Sequence, residues 1–564
     1  MERRTAMVVL GLLAALFVFR LGAAPLHEPD EGRYSAIPRE MLAAHDLVTP
    51  RLNGVLYFEK PPLYYWLNAA SISVLGMEPW TVRLWSALFG FATVLLTFYL
   101  AYRLDGVAAA TWAAAALGSG PLFVVLARLN VIDMTLTFLL TATLVSVWLA
   151  HRGEGRSAHL WWDGAFLAAA LAVLAKGLIG VVLPGIAVGA YLLATRQWRV
   201  LRAVPWATGA GLFLVVAGPW HLMASLRNPD FAWFYFIHEH VLRFATAEAQ
   251  RSAPAWLFPA VVAAGCLPWT GLVPSLGRVL PRGGWKVVTT EHPEVVFLLS
   301  WFGLTLLFFS ASRSKLATYI APALPPLAVL VGGLVARLGD GRLRTSRLER
   351  LGLGAAALLV AAGGIFAVVV GTRGHPWLTA EGASLPVLVP VGVLIVVAAA
   401  MVLWGATCES GTRMVKILFA SALVLGVATA EAWVVVGRQR SVEPVVEALR
   451  SRLRPDDQVF TYRSVQECLW AYLQRPVGQV ECQDELEFGI ARLPEAERVR
   501  RFPSAAEFRP IWESEQRVWV VVKWWGPGRM RGDSLRPGTK VWSNGRWTLL
   551  SNQPPESLVP GPTG

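Results

Sequence analysis

Residues 25–66 read PLHEPDEGRYSAIPREMLAAHDLVTPRLNGVLYFEKPPLYYW, a stretch dense in acids and bases directly behind an apolar run from Ala6 to Ala24. Charged groups beside a bilayer are costly to desolvate, so Asp30, Glu31, Arg33, Glu59 and Lys60 gathered between apolar segments need a reason. An active site on the membrane surface supplies one.

The rest of the chain sets the fold class. Of its 564 residues 55% are hydrophobic and 16% charged, the mean hydropathy is +0.49, and many runs reach the roughly 20 apolar residues that cross a bilayer. Backbone groups in hydrocarbon must be satisfied within their own segment, so the runs are read as helices; barrel strands are shorter and alternate. The expectation is an α-helical polytopic membrane protein of about thirteen transmembrane helices, near 6–24, 81–102, 107–126, 131–150, 161–176, 178–195, 205–225, 255–277, 294–311, 317–337, 351–371, 385–405 and 414–436. The basic start and Gly22-Ala23-Ala24 resemble a signal peptide, but Pro25 would follow the cut, so the first run is read as a retained span.

A net charge of +13 would suggest nucleic acid in a soluble protein. Here the arginines cluster in alternate short loops, such as Arg196, Arg199 and Arg202, or Arg342, Arg344, Arg347 and Arg350, as expected of cytoplasmic loops; no nucleic-acid partner is implied. With the amino terminus in the cytoplasm, an odd span count places the 25–80 loop, the 226–254 segment and the carboxyl-terminal region on the outer face. Arg128, Asp133, Lys176, Arg313 and Lys315 arrive at the same face. Basic residues there run against the positive-inside rule, and a bound anion would explain them.

Composition divides the chain into a membrane domain, 1–436, and a small α/β domain outside the membrane, 437–564. In the latter Val442 to Leu453 has helical spacing, DDQVFTY and VWVVVKWW read as strands, and GDSLRPGTKVW and SNGRWTLL read as short strands with turns. Cys468 and Cys482 either pair in an oxidising compartment or remain two buried thiols. Cys266 and Cys408 fit no metal spacing.

Asp30 precedes a helical stretch, so it is placed to cap that helix with Arg33 and Tyr34 at i+3 and i+4. Such a carboxylate suits a general base or an electrostatic anchor, or is an ordinary cap. Glu59 and Lys60 precede Pro61-Pro62, which displays them on a stiff polyproline-like turn, as a binding pair or as a surface ion pair. FYFIHEHVLRF, 234–244, reads as an interfacial amphipathic helix. His238, His240 and Glu59 are weak candidates for a divalent cation, since no HExxH spacing is present; no cofactor is required. Lys176 and Asp133 stand at span edges, either as snorkelling and helix-end charges or as contacts to a lipid phosphate.

DEGRYSAIPREMLAAHDLVTPRLNGVLYFEKPPLYYW resembles the first extracytoplasmic loop of the aminoarabinose transferase branch of GT-C glycosyltransferases, relatives of protein O-mannosyltransferases. HEHVLRF followed by RSAPAW and LPW, and SKLATYIAPALPPLA, are similar to that branch in the same order. The resemblance covers about 20–440. It implies an outward-facing cavity, a sugar donor carried on polyprenyl phosphate, and an inverting transfer. It also implies a catalytic aspartate at Asp30, a loop pair at Glu59 and Lys60, and a second acid at Asp133. Arg33, Lys176, Arg243 and Tyr34 would then surround the donor phosphate. No specific match is found after Gly437, which leaves the acceptor open.

The function expected is transfer of a sugar, such as 4-amino-4-deoxy-L-arabinose, from undecaprenyl phosphate to lipid A or another envelope acceptor. The site and the carboxyl-terminal domain would face the periplasm, at a multi-pass protein of the bacterial inner membrane in contact with its lipids. A protein O-mannosyltransferase-like enzyme is one alternative, and a lipid or solute transporter is another. Transporters show internal repeats and helices broken near the midplane, whereas these charges gather in loops on one face.

Overall fold

A computed structural model describes residues 2–242, 253–281, 284–375 and 384–554. Among these, nine helices are long and apolar enough to cross a membrane; the pair Leu257–Gly265 and Trp269–Arg278, bent by 104° at its break, makes a tenth. The chain is a multi-pass helical membrane protein, and the other segments expected as spans are shorter helices or arms of a longer element. Helix α1, Glu2–Val18, has only 17 residues, as does Ile179–Thr195.

The expected segments 81–102 and 107–126 meet in one long element, Pro79–Gly118, that leaves helical geometry at Asp105 and Gly106. Gly106 has φ +81°, a conformation that glycine adopts without a Cβ clash. Val94 of the first arm lies against Gly118 of the second, so the arms fold back antiparallel. Asp105 at the turn pairs with Arg337 at 3.0 Å, at the end of the helix Leu324–Gly339.

α1 is packed into the bundle through Leu13, Leu16 and Phe17, all buried. Its last carbonyls lack intrahelical partners, and Arg128 supplies them, donating to Leu16 O at 3.0 Å and Phe17 O at 3.3 Å. Arg128 therefore closes a helix end instead of facing an anion, which corrects the expectation from its loop position.

The 25–80 segment is mostly regular structure. Helix α2 spans Asp30–Ala43; a short hairpin pairs β1, Arg51–Leu52, with β2, Val55–Leu56; helix α3 spans Leu63–Leu75. Asn53 and Gly54 turn the hairpin with φ +51° and +73°, the two-residue signature of such turns. Pro29 (φ −90°, ψ −29°) stands at the cap of α2, and no side chain caps it. Asp30 is thus the first helical residue rather than the cap, because Pro29 already has helical dihedrals and no N–H to satisfy. Pro62 (φ −86°, ψ −11°) leads into α3 in the helical region, so the expected polyproline-like display does not extend through it.

After Gly411–Arg440, the last membrane helix, the chain forms a five-stranded sheet of order β4-β3-β5-β7-β6. Its strands are β3, Gln458–Tyr462; β4, Gly478–Val480; β5, Val518–Lys523; β6, Thr539–Ser543; and β7, Trp547–Ser551. β3 runs parallel to β4 and β5, while β7 is antiparallel to β5 and β6. One face of the sheet closes over Phe508 and Trp512. On the other, Trp519, Leu549, Leu449 and Trp470 share a single apolar core with Tyr34, Ile37, Met41 and Tyr64 of α2 and α3. The first loop and this sheet are therefore held together by burial. All four cysteines are free, so the Cys468–Cys482 bridge does not form; Cys468 is buried, with its backbone against Gly32 of α2.

Candidate active site

A cavity of about 430 Å³ opens where α2, the turn before α3, and helices Ile132–Arg152 and Gly155–Lys176 converge. Asp30, Arg33, Tyr34, Glu59, Lys60, Asp133 and Lys176 all line it. Seven of the eight residues expected at a site thus meet in one place, although they span about 150 positions; Arg243 lies outside the described residues. Leu136, Ile179, Val182, Phe308, Phe309 and Leu316 add apolar side chains to the lining.

Each cation of the lining already has an acid beside it. Lys60 Nζ lies 3.7 Å from Glu59 Oε2 and 3.8 Å from Glu239 Oε2. Lys176 Nζ donates to Asp133 Oδ1 at 2.5 Å and sits 4.6 Å from the centre of the Tyr319 ring. Arg33 Nη1 lies 3.7 Å from Asp30 Oδ1. Lys176 is therefore drawn inward and does not snorkel, and Glu59, 7% exposed, is not a surface ion pair. Buried charges survive only when compensated, and an entering anion would have to share these cations with the acids.

The acids differ in what they have left to offer. Glu31 is buried and accepts from Arg83 Nε at 2.8 Å and Nη2 at 2.7 Å, and from Asn130 N at 2.7 Å. Burial pushes its carboxyl up, but Arg83 and the Asn130 N–H outweigh burial and hold it below the ordinary value. Asp30, one residue earlier, keeps 42% of its side chain exposed toward the cavity. Burial, with Tyr65 and Asp30 nearby, pushes the Tyr34 phenol well up, so it stays protonated and can only donate or accept a hydrogen bond.

Of the 234–244 motif, residues 243 and 244 and the side chains of 240–242 lie outside the described residues. Trp233–Leu242 is a π-helical stretch that turns Glu239, with 5% of its side chain exposed, toward Lys60. His238 Nδ1 lies 3.4 Å from Glu239 Oε1. Among the described residues no three His, Cys, Asp or Glu side chains converge to hold a metal; the side chain of His240 lies outside them.

Glu239 and Tyr319 were not singled out as site residues from sequence. Glu239 carried a signal, an acid between two histidines in an aromatic run. Glu467 and Glu485, which reach Arg33 from the carboxyl-terminal domain, carried none.

The comparisons with known proteins follow the same division. The family model described as dolichyl-phosphate-mannose-protein mannosyltransferase matches residues 5–235, and the aminoarabinose transferase C-terminal domain matches 445–545. The structure superposes on that of ArnT from Cupriavidus metallidurans bound to undecaprenyl phosphate with a TM-score of 0.81, at 28% identity and 99% coverage of both chains.

Both the membrane part and the carboxyl-terminal domain are thus similar to those of the aminoarabinose transferase branch of the GT-C glycosyltransferases.

Undecaprenyl phosphate-alpha-4-amino-4-deoxy-L-arabinose arabinosyl transferase of Pseudomonas paraeruginosa is 37% identical over 363 residues, 63% of this chain and 65% of the relative. The enzyme of the same name from Edwardsiella ictaluri is 34% identical over 379 residues, 64% and 66% of the two chains. The chain thus aligns with just under two thirds of the length of these curated relatives. The match at 445–545 corrects the expectation that the carboxyl-terminal domain has no counterpart in this branch.

Proposed function

We propose that this chain transfers 4-amino-4-deoxy-L-arabinose from undecaprenyl phosphate to lipid A or another envelope acceptor, at the periplasmic face of the bacterial inner membrane. The observation that carries this reading is the mixed lining of the cavity, with apolar side chains suited to a prenyl chain and charged ones suited to a phosphate and a sugar. The likeness to ArnT, solved with undecaprenyl phosphate, supports the same donor.

In this reading the lipid phosphate lies against Lys60 and Lys176, with Arg243 joining them. An acceptor oxygen attacks the anomeric carbon as the bond from that carbon to the phosphate oxygen breaks, and the electron pair leaves with undecaprenyl phosphate. Fixed cations aimed at the phosphate stabilise the charge that grows there in the transition state. Asp30 takes the proton if the acceptor is a hydroxyl, or orients the acceptor if it is already an anion. The 437–564 domain, sharing a core with α2, would close the acceptor side.

Purified protein is expected to consume undecaprenyl-phosphate aminoarabinose and to ignore nucleotide sugars; turnover of a nucleotide sugar without lipid carrier refutes the reading. Mass spectrometry of envelope glycolipids and glycoproteins from cells with and without the protein identifies the acceptor, and a change confined to proteins selects the O-mannosyltransferase-like alternative. A reporter active only outside the cytoplasm, fused after Gly564, should be active.

A further inference from the structure

Arg33 is 6% exposed, and its guanidinium is gripped from behind. Nη2 donates to Glu467 Oε1 at 3.2 Å and pairs with Glu485, and the group lies 5.8 Å from the centre of the Tyr57 ring. Tyr57 in turn donates its hydroxyl to Glu485 Oε2 at 3.4 Å. Neither glutamate lines the cavity, whereas Asp30, 3.7 Å from Nη1, does. Nε has no hydrogen-bond partner among the described residues.

Glu467 is itself held in place. The backbone N–H groups of Glu467 and Cys468 donate to the Glu28 carboxyl at 3.0 and 2.8 Å. Gly32 packs so closely on this backbone that a Cβ there would fall on Glu467 and Cys468. Burial and the neighbouring Glu467 push the Glu28 carboxyl well above its usual range.

We propose that Glu467 and Glu485 are positioning residues for the reaction: they anchor Arg33 from the carboxyl-terminal domain, and Arg33 orients the Asp30 carboxylate in the cavity. This rests on the reading of Asp30 as base or aligner. Three carboxylates around one guanidinium leave Arg33 poorly suited to neutralise a donor phosphate but well suited to fix an acid, because its planar fork binds two partners in set directions. Asp30 has no capping bond, and Arg33 is its ion-pair partner among the described residues. A misplacement of about 1 Å in a reacting group can cost on the order of 100-fold in rate, so the anchor belongs to the catalytic geometry.

The test uses the intact protein in phospholipid nanodiscs, with undecaprenyl-phosphate aminoarabinose as donor and undecaprenyl phosphate as the binding probe. Glu467→Gln combined with Glu485→Gln is expected to lower kcat about tenfold or more while donor KM and probe affinity stay within about threefold. On an Asp30→Asn background the same pair should change the residual rate less than about twofold, since its effect passes through Asp30. Glu485→Gln alone, at the more exposed of the two sites, should show the same pattern at about threefold, and decides the matter if the double variant does not fold. A kcat within twofold of wild type overturns the proposal, as does an equal loss on the Asp30→Asn background. Wild type that leaves the lipid-phosphate sugar untouched overturns the functional reading and this inference with it; active wild type matched by the variants overturns the inference alone.

Discussion

Asp30 and Glu31 are neighbours on one helical turn and meet different surroundings. Glu31 is turned into the membrane domain, where Arg83 and the Asn130 N–H occupy its oxygens, and Arg83 goes on to tie down the carbonyls of Leu21, Ala24 and Pro25. Asp30 is turned into the cavity, with one ion pair at 3.7 Å. Adjacent acids of equal charge thus divide into a structural knot and a group with capacity to spare. What separates them is the number of lone pairs already committed, which only the fold decides.

The sharpest way to break that contrast is to delete each acid in turn. Glu31→Ala leaves Arg83 charged and unpaired in a buried site, so it should cost about 3–5 kcal/mol of stability, read as a large drop in melting temperature and yield. Asp30→Asn should leave the melting temperature near wild type and lower turnover by at least about 100-fold. Near-normal turnover of Asp30→Asn would sink the catalytic assignment and move suspicion to Glu59 or Asp133.

A smaller effect tests the phosphate side. Lys60→Ala and Arg243→Ala should each raise the barrier by about 2 kcal/mol, somewhat below a full oxyanion-hole donor, because acids already share the Lys60 charge. Turnover assays against the folded fraction measure this, and Arg342→Ala, paired with Asp340 in a distant loop, should stay within about twofold of wild type. Equal losses from all three variants would mean that insertion is being measured and not chemistry.

The smallest effect is one of pH. Glu31 has its carboxyl held below the ordinary value in the folded chain, so its contribution to stability is complete above the ordinary carboxyl range. It is lost as pH falls through the depressed value. Thermal melts from neutral to acidic pH should therefore show a falling limb that Glu31→Gln flattens; an unchanged limb would assign it to other groups.

Much of the site was legible because it is local. Asp30, Arg33 and Tyr34 lie within five residues, and Glu59-Lys60 stands out between apolar runs. Lys176 and Asp133 were visible as charges at span edges, but their pairing was not. Glu239 was hidden by a helical-face reading that its π-helical backbone does not follow. Arg128 looked like an anion contact until the carbonyls at the end of α1 turned out to need it. Asp30 looked like a cap until Pro29 took that position.

By itself the sequence determined the class, because long apolar runs admit only helices in lipid. It also determined the approximate position of most of those helices and the presence of an α/β tail, since composition changes after the last long apolar run. Only the tertiary structure decided how the chain is tied together. The carboxylates of Glu467 and Glu485 reach Arg33 across more than 400 residues of sequence, and Gly32 is small because the backbone of Glu467 and Cys468 lies against it. Contacts of that kind leave no periodicity and no spacing in the chain; they arise when the core shared by α2, α3 and the carboxyl-terminal sheet closes and sets distant polar groups within hydrogen-bonding reach.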